Sequence, residues 1–229
     1  MSFRIGSLPR ACIASAVLLG GLPALAAAQT TYPSFQQSRI VSREFNFGVA
    51  DGDGITPIVF QWREGTTPWS QLSFDVGLAD SEAQDEDVSL ILGGQYAHTL
   101  ARSNADIPLD ILFTAGLFTQ FGNGTLLAVP VGASVGHRFL IEGTALAITP
   151  YIHPRVAFQY VKRQNVPAGG DDSDSDIDVS FDVGGSLELT PRFAIRVSAT
   201  FGNFDAIGIS FAFAPRALRT ASAPAGARR

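Results

Sequence analysis

The chain has 229 residues, and its 21 acidic residues outnumber its 16 lysines and arginines, which gives a formal net charge of -5 at pH 7. An acidic chain is a poor candidate for nucleic-acid binding, because that activity relies on basic surfaces. The single cysteine, Cys12, excludes a disulfide framework and a thiolate metal site within the chain.

The N-terminal residues have the composition of an export signal. Arg4 and Arg10 supply a basic start, and residues 11–26 form an apolar stretch interrupted by glycine and proline. This stretch is too short and too broken for a membrane helix, which needs about 20 apolar residues. Small residues at its end offer cleavage sites. We therefore predict a signal peptide over residues 1–28, with the mature chain beginning near Ala27 or Gln29.

Beyond residue 28, apolar and polar residues alternate with the period of a β-strand that has one apolar and one polar face. The pattern is clearest in I-D-V-S-F-D-V-G-G-S-L-E-L, residues 177–189. Tight-turn sequences separate some segments, as at Asp51–Gly54 and Gly122–Gly124. Ten strands are predicted: Val41–Val49, Thr56–Arg63, Trp69–Ala79, Val88–His98, Leu109–Phe121, Leu126–Phe139, Ala145–Lys162, Ile177–Leu189, Arg192–Phe201 and Ala206–Phe213. Four prolines argue against regular pairing because each removes a ladder donor: Pro57, Pro130, Pro150 and Pro154.

The connections between these strands differ in length. If the mature N-terminus lies in the periplasm, the acidic loops Ser81–Asp87 and Val166–Ser175 fall on the outer side, while most inner connections are short. No apolar run after Ala28 is long enough for a membrane helix, so any membrane insertion would use strands closed into a barrel. Longer outer loops with short inner turns are typical of outer-membrane barrels.

The last predicted strand contains Gly208-Ile209-Ser210-Phe211-Ala212-Phe213. A glycine followed by two spaced aromatic residues resembles the assembly signal of small outer-membrane β-barrel proteins of Gram-negative type, with Gly208, Phe211 and Phe213 as its residues. The resemblance extends over the mature chain to about Pro215. It implies an all-β fold, an antiparallel up-and-down transmembrane barrel of about ten strands, with eight as the alternative. It also implies the cell outer membrane as location, with outer-membrane lipid and the barrel-assembly machinery as partners.

This interpretation divides the chain into four parts. Residues 1–28 are the signal peptide, and residues 29–38 form an N-terminal periplasmic segment. Residues 39–215 form the barrel, and residues 216–229 are a disordered tail rich in arginine, alanine and proline.

The polar face of the strands would line the barrel lumen, which in a barrel of this size is mostly filled by side chains. Inward charges of both signs can pair there and avoid isolated buried charges, and inward glycines leave room for them. The lumen is then either plugged or a narrow path for small polar solutes, and both alternatives stay open. The predicted lumen residues are Glu44, Arg63, Asp75, Asp110, Arg138, His153, Arg155, Asp182, Glu188 and Arg196.

The sequence offers no catalytic residue set. His98 and His137 have outward parity near strand ends, which favours membrane-interface positions, and His153 alone has inward parity. No Ser-His-acid spacing is found, so no enzyme is expected. The aspartates within residues 171–176 indicate a solvated acidic loop rather than a calcium site. Neither a metal nor another cofactor is predicted.

The predicted function is a structural or narrow porin-like role in the outer membrane. Two other classes remain as alternatives. One is a non-conducting surface barrel that acts in adhesion through its acidic outer loops, and the other is a soluble exported β-sandwich that binds a ligand or partner.

Overall fold

Eleven β-strands make up one closed antiparallel sheet in the computed structural model, which describes residues 32–81, 88–163, 173–202 and 204–215. The predicted signal peptide, most of both acidic loops and the tail at 216–229 lie outside the described residues. The strands are β1 Arg43–Asp51, β2 Ile55–Thr67, β3 Ser70–Ser81, β4 Ser89–Ala101, β5 Asp110–Phe121, β6 Gly124–Gly136, β7 Phe139–Leu140, β8 Ala147–Arg163, β9 Ser173–Thr190, β10 Phe193–Gly202 and β11 Ala206–Phe213.

Each strand pairs with its neighbour in sequence, and β1 pairs with β11 to close the sheet. The two-residue β7 continues the line of β6, because both pair with β8 on the same side. If β6 and β7 are counted as one strand, the barrel has ten strands. This confirms the predicted all-β, up-and-down architecture with ten strands instead of eight. A single closed sheet is not two packed sheets, so the β-sandwich alternative is wrong.

The surface of the barrel is apolar and its interior is polar. In β3, Phe74, Val76 and Leu78 are about half exposed, at 53%, 45% and 54%, while Gln71 and Asp75 on the opposite face are buried. A soluble protein buries its large apolar side chains. The reversed arrangement is that of strands that face lipid outside and a polar lumen inside.

The two ends of the barrel carry different connections. At the distal end, Asp53 and Gly54 both have positive φ, 44° and 72°, and they form the two-residue turn between β1 and β2. Asp-Gly is favoured in such turns because both positions require left-handed backbone. The proximal end is the one where β1 begins. It carries the β2–β3 turn, the β4–β5 connection and the residues between β6 and β8.

Strands β8 and β9 are the longest, with 17 and 18 residues. About 9–11 strand residues suffice to cross a bilayer, so this hairpin is longer than a crossing requires. β8 ends and β9 begins at the distal end.

The prolines lie within paired strands. Pro130 pairs with Ala157 on its β8 side, and the ladder to β5 lapses opposite it, at Gly116 and Leu117. The ladder between β6 and β8 lapses in the same way opposite Pro154. The missing N–H groups of Pro130 and Pro154 thus fall where pairing is interrupted, which explains how the barrel accommodates these two prolines.

Among the described residues, no helix is long and apolar enough to cross a membrane.

Candidate functional site: the lumen and its N-terminal segment

The predicted lumen residues all lie on the inner face or at the mouth of the barrel. Nine of the ten are buried, with no more than 7% of their surface exposed. Arg138 is half-buried at the proximal mouth, where it pairs with Glu188 through two hydrogen bonds of 2.8 and 2.6 Å. The buried nine are Glu44, Arg63, Asp75, Asp110, His153, Arg155, Asp182, Glu188 and Arg196.

Three of these residues, on three different strands, form a buried ion triad. Glu44 on β1 accepts hydrogen bonds from Arg63 on β2, at 2.9 Å, and from Arg196 on β10, at 2.7 and 2.6 Å. The Glu44 and Arg196 side chains are fully buried, and 2% of the Arg63 side chain is exposed. One carboxylate thus serves two guanidiniums, and the triad keeps a net positive charge inside the barrel.

The N-terminal segment occupies the lumen. Residues 32–38 are all buried, and residues 32–42, which we call the lumen segment, lead to the start of β1 at the proximal end. Residues 29–38 were expected to be a periplasmic segment ahead of the barrel, whereas the described part of that range lies inside it. The physical reason is polar complementarity: the lumen walls carry donors that bind the segment's backbone carbonyls.

The side chains that donate to the carbonyls of the lumen segment come from different strands. The second guanidinium nitrogen of Arg63 donates to the carbonyls of Ser34 and Phe35, both at 3.1 Å. The hydroxyl of Ser134 on β6 donates to the carbonyl of Gln36 at 2.8 Å. An irregular segment can be buried only when its backbone groups find partners. The lumen satisfies this condition, so the segment is an integral part of the folded barrel.

Asp182 on β9 is the centre of a second buried polar cluster. Its carboxylate accepts hydrogen bonds from Arg155 at 2.8 Å, Thr200 at 2.7 Å and the Ser34 hydroxyl at 2.6 Å. His153 Nδ1 lies 3.4 Å from the same carboxylate. Ser34 therefore joins the lumen segment to β8, β9 and β10 through one acceptor.

One set of three residues in this cluster has the composition of a nucleophilic triad but not its geometry: Ser34, His153 and Asp182. In such a triad the nucleophile hydrogen-bonds to Nε2 and the carboxylate to Nδ1. Here Ser34 Oγ lies 2.8 Å from Nδ1, on the same side as the carboxylate, and Nε2 lies 2.9 Å from Thr114 Oγ1. Both His153 and Asp182 are fully buried. The arrangement fits a satisfied structural network.

The distal part of the lumen is apolar. Tyr32, at the beginning of the described chain, packs with Val59, Ile91 and Phe118 in a buried cluster. Its hydroxyl donates to Asp75 Oδ2 at 2.7 Å. Ile91 and Phe118 interrupt the polar inner face of their strands, and the cluster with Tyr32 accounts for this.

Glycines on the inner face make space for aromatic rings of the interior. The ring of Phe35 lies against Gly48 and Gly208, where an added Cβ would come within 2.9 and 2.8 Å of it. The ring of Phe118 covers Gly93 in the same way. Phe35 has a φ of 48°, which is unfavourable for a bulky residue. The fit of its ring between two strands holds it in this conformation.

The remaining predicted residues lie on both faces of the barrel wall. Phe211 and Phe213 of β11 are 43% and 50% exposed, whereas Gly208 faces the lumen. Their role in assembly stays a prediction, and Gly208 has a packing role as well.

His98 is half-buried on the outer face, where its Nδ1 lies 3.4 Å from Ser70 Oγ and 3.3 Å from the Tyr96 hydroxyl. Among the described residues, no group of three or more acidic, histidine or cysteine residues could hold a metal ion.

The architecture is that of an outer-membrane β-barrel. No family model matches the chain, and no curated protein matches it. Solved structures give weak likenesses. The N-terminal β-barrel domain of Pseudomonas aeruginosa OprF has a TM-score of 0.37 at 13% identity, covering 76% of this chain and 98% of that one. The KdgM porin has a TM-score of 0.41 at 8% identity, with 75% and 98% covered. LpxR from Salmonella typhimurium has 0.40 at 13%, with 80% and 78% covered.

Sequence reasoning missed the lumen segment. Residues 32–42 show no alternation, and nothing in their composition indicates burial. Two signals on the strands point to an interior occupant. One is the apolar pair Ile91 and Phe118 at inward positions. The other is the pair of inward glycines Gly48 and Gly208, which are diagonal neighbours on the paired strands β1 and β11.

Proposed function

We propose that this protein is an exported outer-membrane barrel whose lumen is closed by its own N-terminal segment, and that it is non-conducting in this state. The observation that carries the proposal is the burial of residues 32–38. A small barrel is already mostly filled by its own side chains. A chain segment fixed by Arg63, Ser134 and Asp182 occupies much of the space that a solute would need.

A narrow porin-like path is the second candidate function. It is favoured by a row of small polar side chains on the inner wall, where the buried hydroxyls of Thr149, Ser186 and Ser210 have no protein hydrogen-bond partner among the described residues. Buried hydroxyls of this kind suit contact with water or a small polar solute. The path would open when the lumen segment is displaced.

We expect outer-membrane lipid and the barrel-assembly machinery as partners, on the strength of the apolar exterior and the β11 aromatics. No enzymatic role is proposed, because the buried histidine cluster lacks both the geometry and the exposure of a catalytic site. Adhesion through the acidic loops stays a prediction, since most residues of those loops lie outside the described part of the chain.

Planar-bilayer recordings test the closed lumen. The wild-type barrel, purified in detergent, is inserted into a bilayer in symmetric salt and compared with the double variant Tyr32→Ala and Phe35→Ala. These two rings anchor the lumen segment to the apolar cluster and to the glycine site. We expect no channel current from the wild type and a small ohmic current from the double variant.

A matched control removes a ring of the same type from the outer face. Phe47 lies on β1 and is 52% exposed, so Phe47→Ala leaves the lumen untouched and should stay silent. A conducting wild type would overturn the closed lumen. A silent double variant that still shows heat-modifiable gel mobility would show that wall side chains, and not the lumen segment, close the barrel.

A further inference from the structure

A cavity of about 500 Å³ lies at the proximal end of the barrel, between the end of the lumen segment, the β2–β3 turn and the β4–β5 connection. We call it the proximal pocket. The residues that line it include two arginines, Arg39 and Arg102, and several that carry hydroxyl groups: Ser38, Ser42, Thr99 and Ser103. Guanidiniums with surrounding hydroxyls are the groups that recognise carboxylates and phosphates.

The Arg102 guanidinium is held in place from one side. It donates to the backbone carbonyl of Pro68 and lies 4.0 Å from the centre of the Trp69 ring. An arginine carries five N–H donors, so a guanidinium fixed in this way can still donate to a ligand. Its position is set before a ligand arrives, which lowers the entropic cost of binding.

The single carboxylate of the pocket is largely occupied. Asp110 accepts hydrogen bonds from the Ser103 backbone N–H at 3.0 Å and from its hydroxyl at 3.5 Å, and its carboxylate lies 3.7 Å from Arg39 Nε. The nearby Arg138 is paired with Glu188 at 2.6 Å. The residues that line the pocket therefore include two arginines against one carboxylate.

Charges of both signs surround Arg39. Burial is the main cause that lowers the pKa of Arg39, the Asp110 and Glu188 carboxylates raise it, and the positive charges of Arg138 and Arg102 lower it. The Ser38 hydroxyl is buried at 1% exposure, has no protein hydrogen-bond partner among the described residues and lies beside Gly136 of β6.

We propose that the proximal pocket binds a small oxyanion, a carboxylate or phosphate group, through Arg39 and Arg102. The site rests on the proposed closed state of the lumen segment, because that segment supplies Ser38, Arg39 and Ser42 to the pocket. A wild-type barrel that is silent in bilayers but does not bind phosphate would contradict the site alone. Its ligand is either a free anion of the adjacent compartment or the phosphate of a lipid headgroup.

Isothermal titration of the detergent-purified barrel with inorganic phosphate tests the site, with chloride at equal ionic strength as the reference. We expect saturable binding of phosphate and none of chloride. Arg102→Gln should weaken phosphate binding by about tenfold, the effect of losing one charge-assisted hydrogen bond. Arg39→Gln should have at least this effect, because it also removes the partner of Asp110.

Arg43 provides the matched control. It is an arginine at the same end of the barrel, paired with Glu64 at 2.6 Å, and it does not line the pocket. Arg43→Gln should leave phosphate affinity unchanged. The proposal is overturned if phosphate does not bind above chloride, or if Arg43→Gln weakens binding as much as Arg102→Gln. Arg102→Gln should still fold, because Arg102 makes its contacts at the exposed mouth. Heat-modifiable gel mobility of the variant checks this.

A second arm distinguishes the two sources of the anion. The titration is repeated in nanodiscs of phosphatidylglycerol. If phosphate affinity falls relative to detergent, and the fall disappears in Arg102→Gln, a lipid headgroup competes for the pocket. If affinity is unchanged, the ligand is a free anion. Either result supports the site, and the two differ only in the source of its ligand.

Discussion

Replacing Glu44 by glutamine should destabilise the barrel strongly while conserving side-chain size. The carboxylate of Glu44 accepts three hydrogen bonds from two buried guanidiniums. Arg63 keeps other acceptors, the carbonyls of Ser34 and Phe35. Arg196 has only Glu44 among its described hydrogen bonds and is itself fully buried. The variant thus leaves the Arg196 guanidinium without its hydrogen-bonded counter-charge, beside the guanidinium of Arg63.

The magnitude follows from the burial of the triad. Removing one partner of a buried ion pair costs about 3–5 kcal/mol, because an uncompensated charge stays in the interior. Since two guanidiniums lose the same partner, we expect the upper part of that range. The change should appear as a lower urea midpoint in detergent, with the folded fraction measured by heat-modifiable gel mobility.

Glu64 gives a control within the same pair of strands. The registers Arg43 with Glu64 and Glu44 with Arg63 are adjacent on β1 and β2. In the first pair both side chains are partly exposed, at 47% and 31%, so Glu64→Gln should change the midpoint little. If Glu44→Gln and Glu64→Gln shift the midpoint equally, the triad is not in a sealed polar interior, and the account of the lumen is refuted.

Three further predictions test the interior and the outer face. Gly208→Val should lower the urea midpoint because its side chain would meet the Phe35 ring, and Phe35→Ala in the same chain should restore part of the loss; independent, additive effects would contradict that contact. Val76→Arg, at mid-strand on the outer face, should cost about 2–4 kcal/mol in bilayer-folding titrations, whereas Leu100→Arg near the strand end should cost little; equal costs would argue against a lipid-facing band. Asp182→Asn should increase proteolysis of the N-terminal segment in the folded barrel, since the acceptor of Ser34 loses its charge, and unchanged protection would show that this bond does not hold the segment.

The barrel wall was predictable because alternation has a direct physical cause. Lipid on one side and a polar lumen on the other require opposite residue types at successive positions, as in Leu72 to Leu78 of β3. The same parity predicts which charges face inward. It also predicts that they pair, as Glu44 does with Arg63 and Arg196.

The lumen segment was not predictable from its own residues. Its burial depends on backbone carbonyls that bind Arg63 and Ser134, and backbone groups carry no sequence signal. The ring of Phe35 fits a space formed by Gly48 and Gly208, which are 160 residues apart in sequence and meet only when β1 and β11 close the barrel. Such long-range contacts follow from closure and not from local pattern.

The most direct test of the account is the accessibility of the lumen segment in the folded barrel. Single-cysteine variants Gln36→Cys and Ser42→Cys are prepared in a Cys12→Ser background and treated with a bulky, membrane-impermeant maleimide, with urea-unfolded protein as the reference for complete labelling. Gln36 is 1% exposed, and Ser42 is exposed at the proximal mouth. The account predicts that the thiol at position 36 stays protected while the thiol at position 42 reacts; equal labelling of the two in the folded barrel would contradict a lumen closed by its own N-terminal segment.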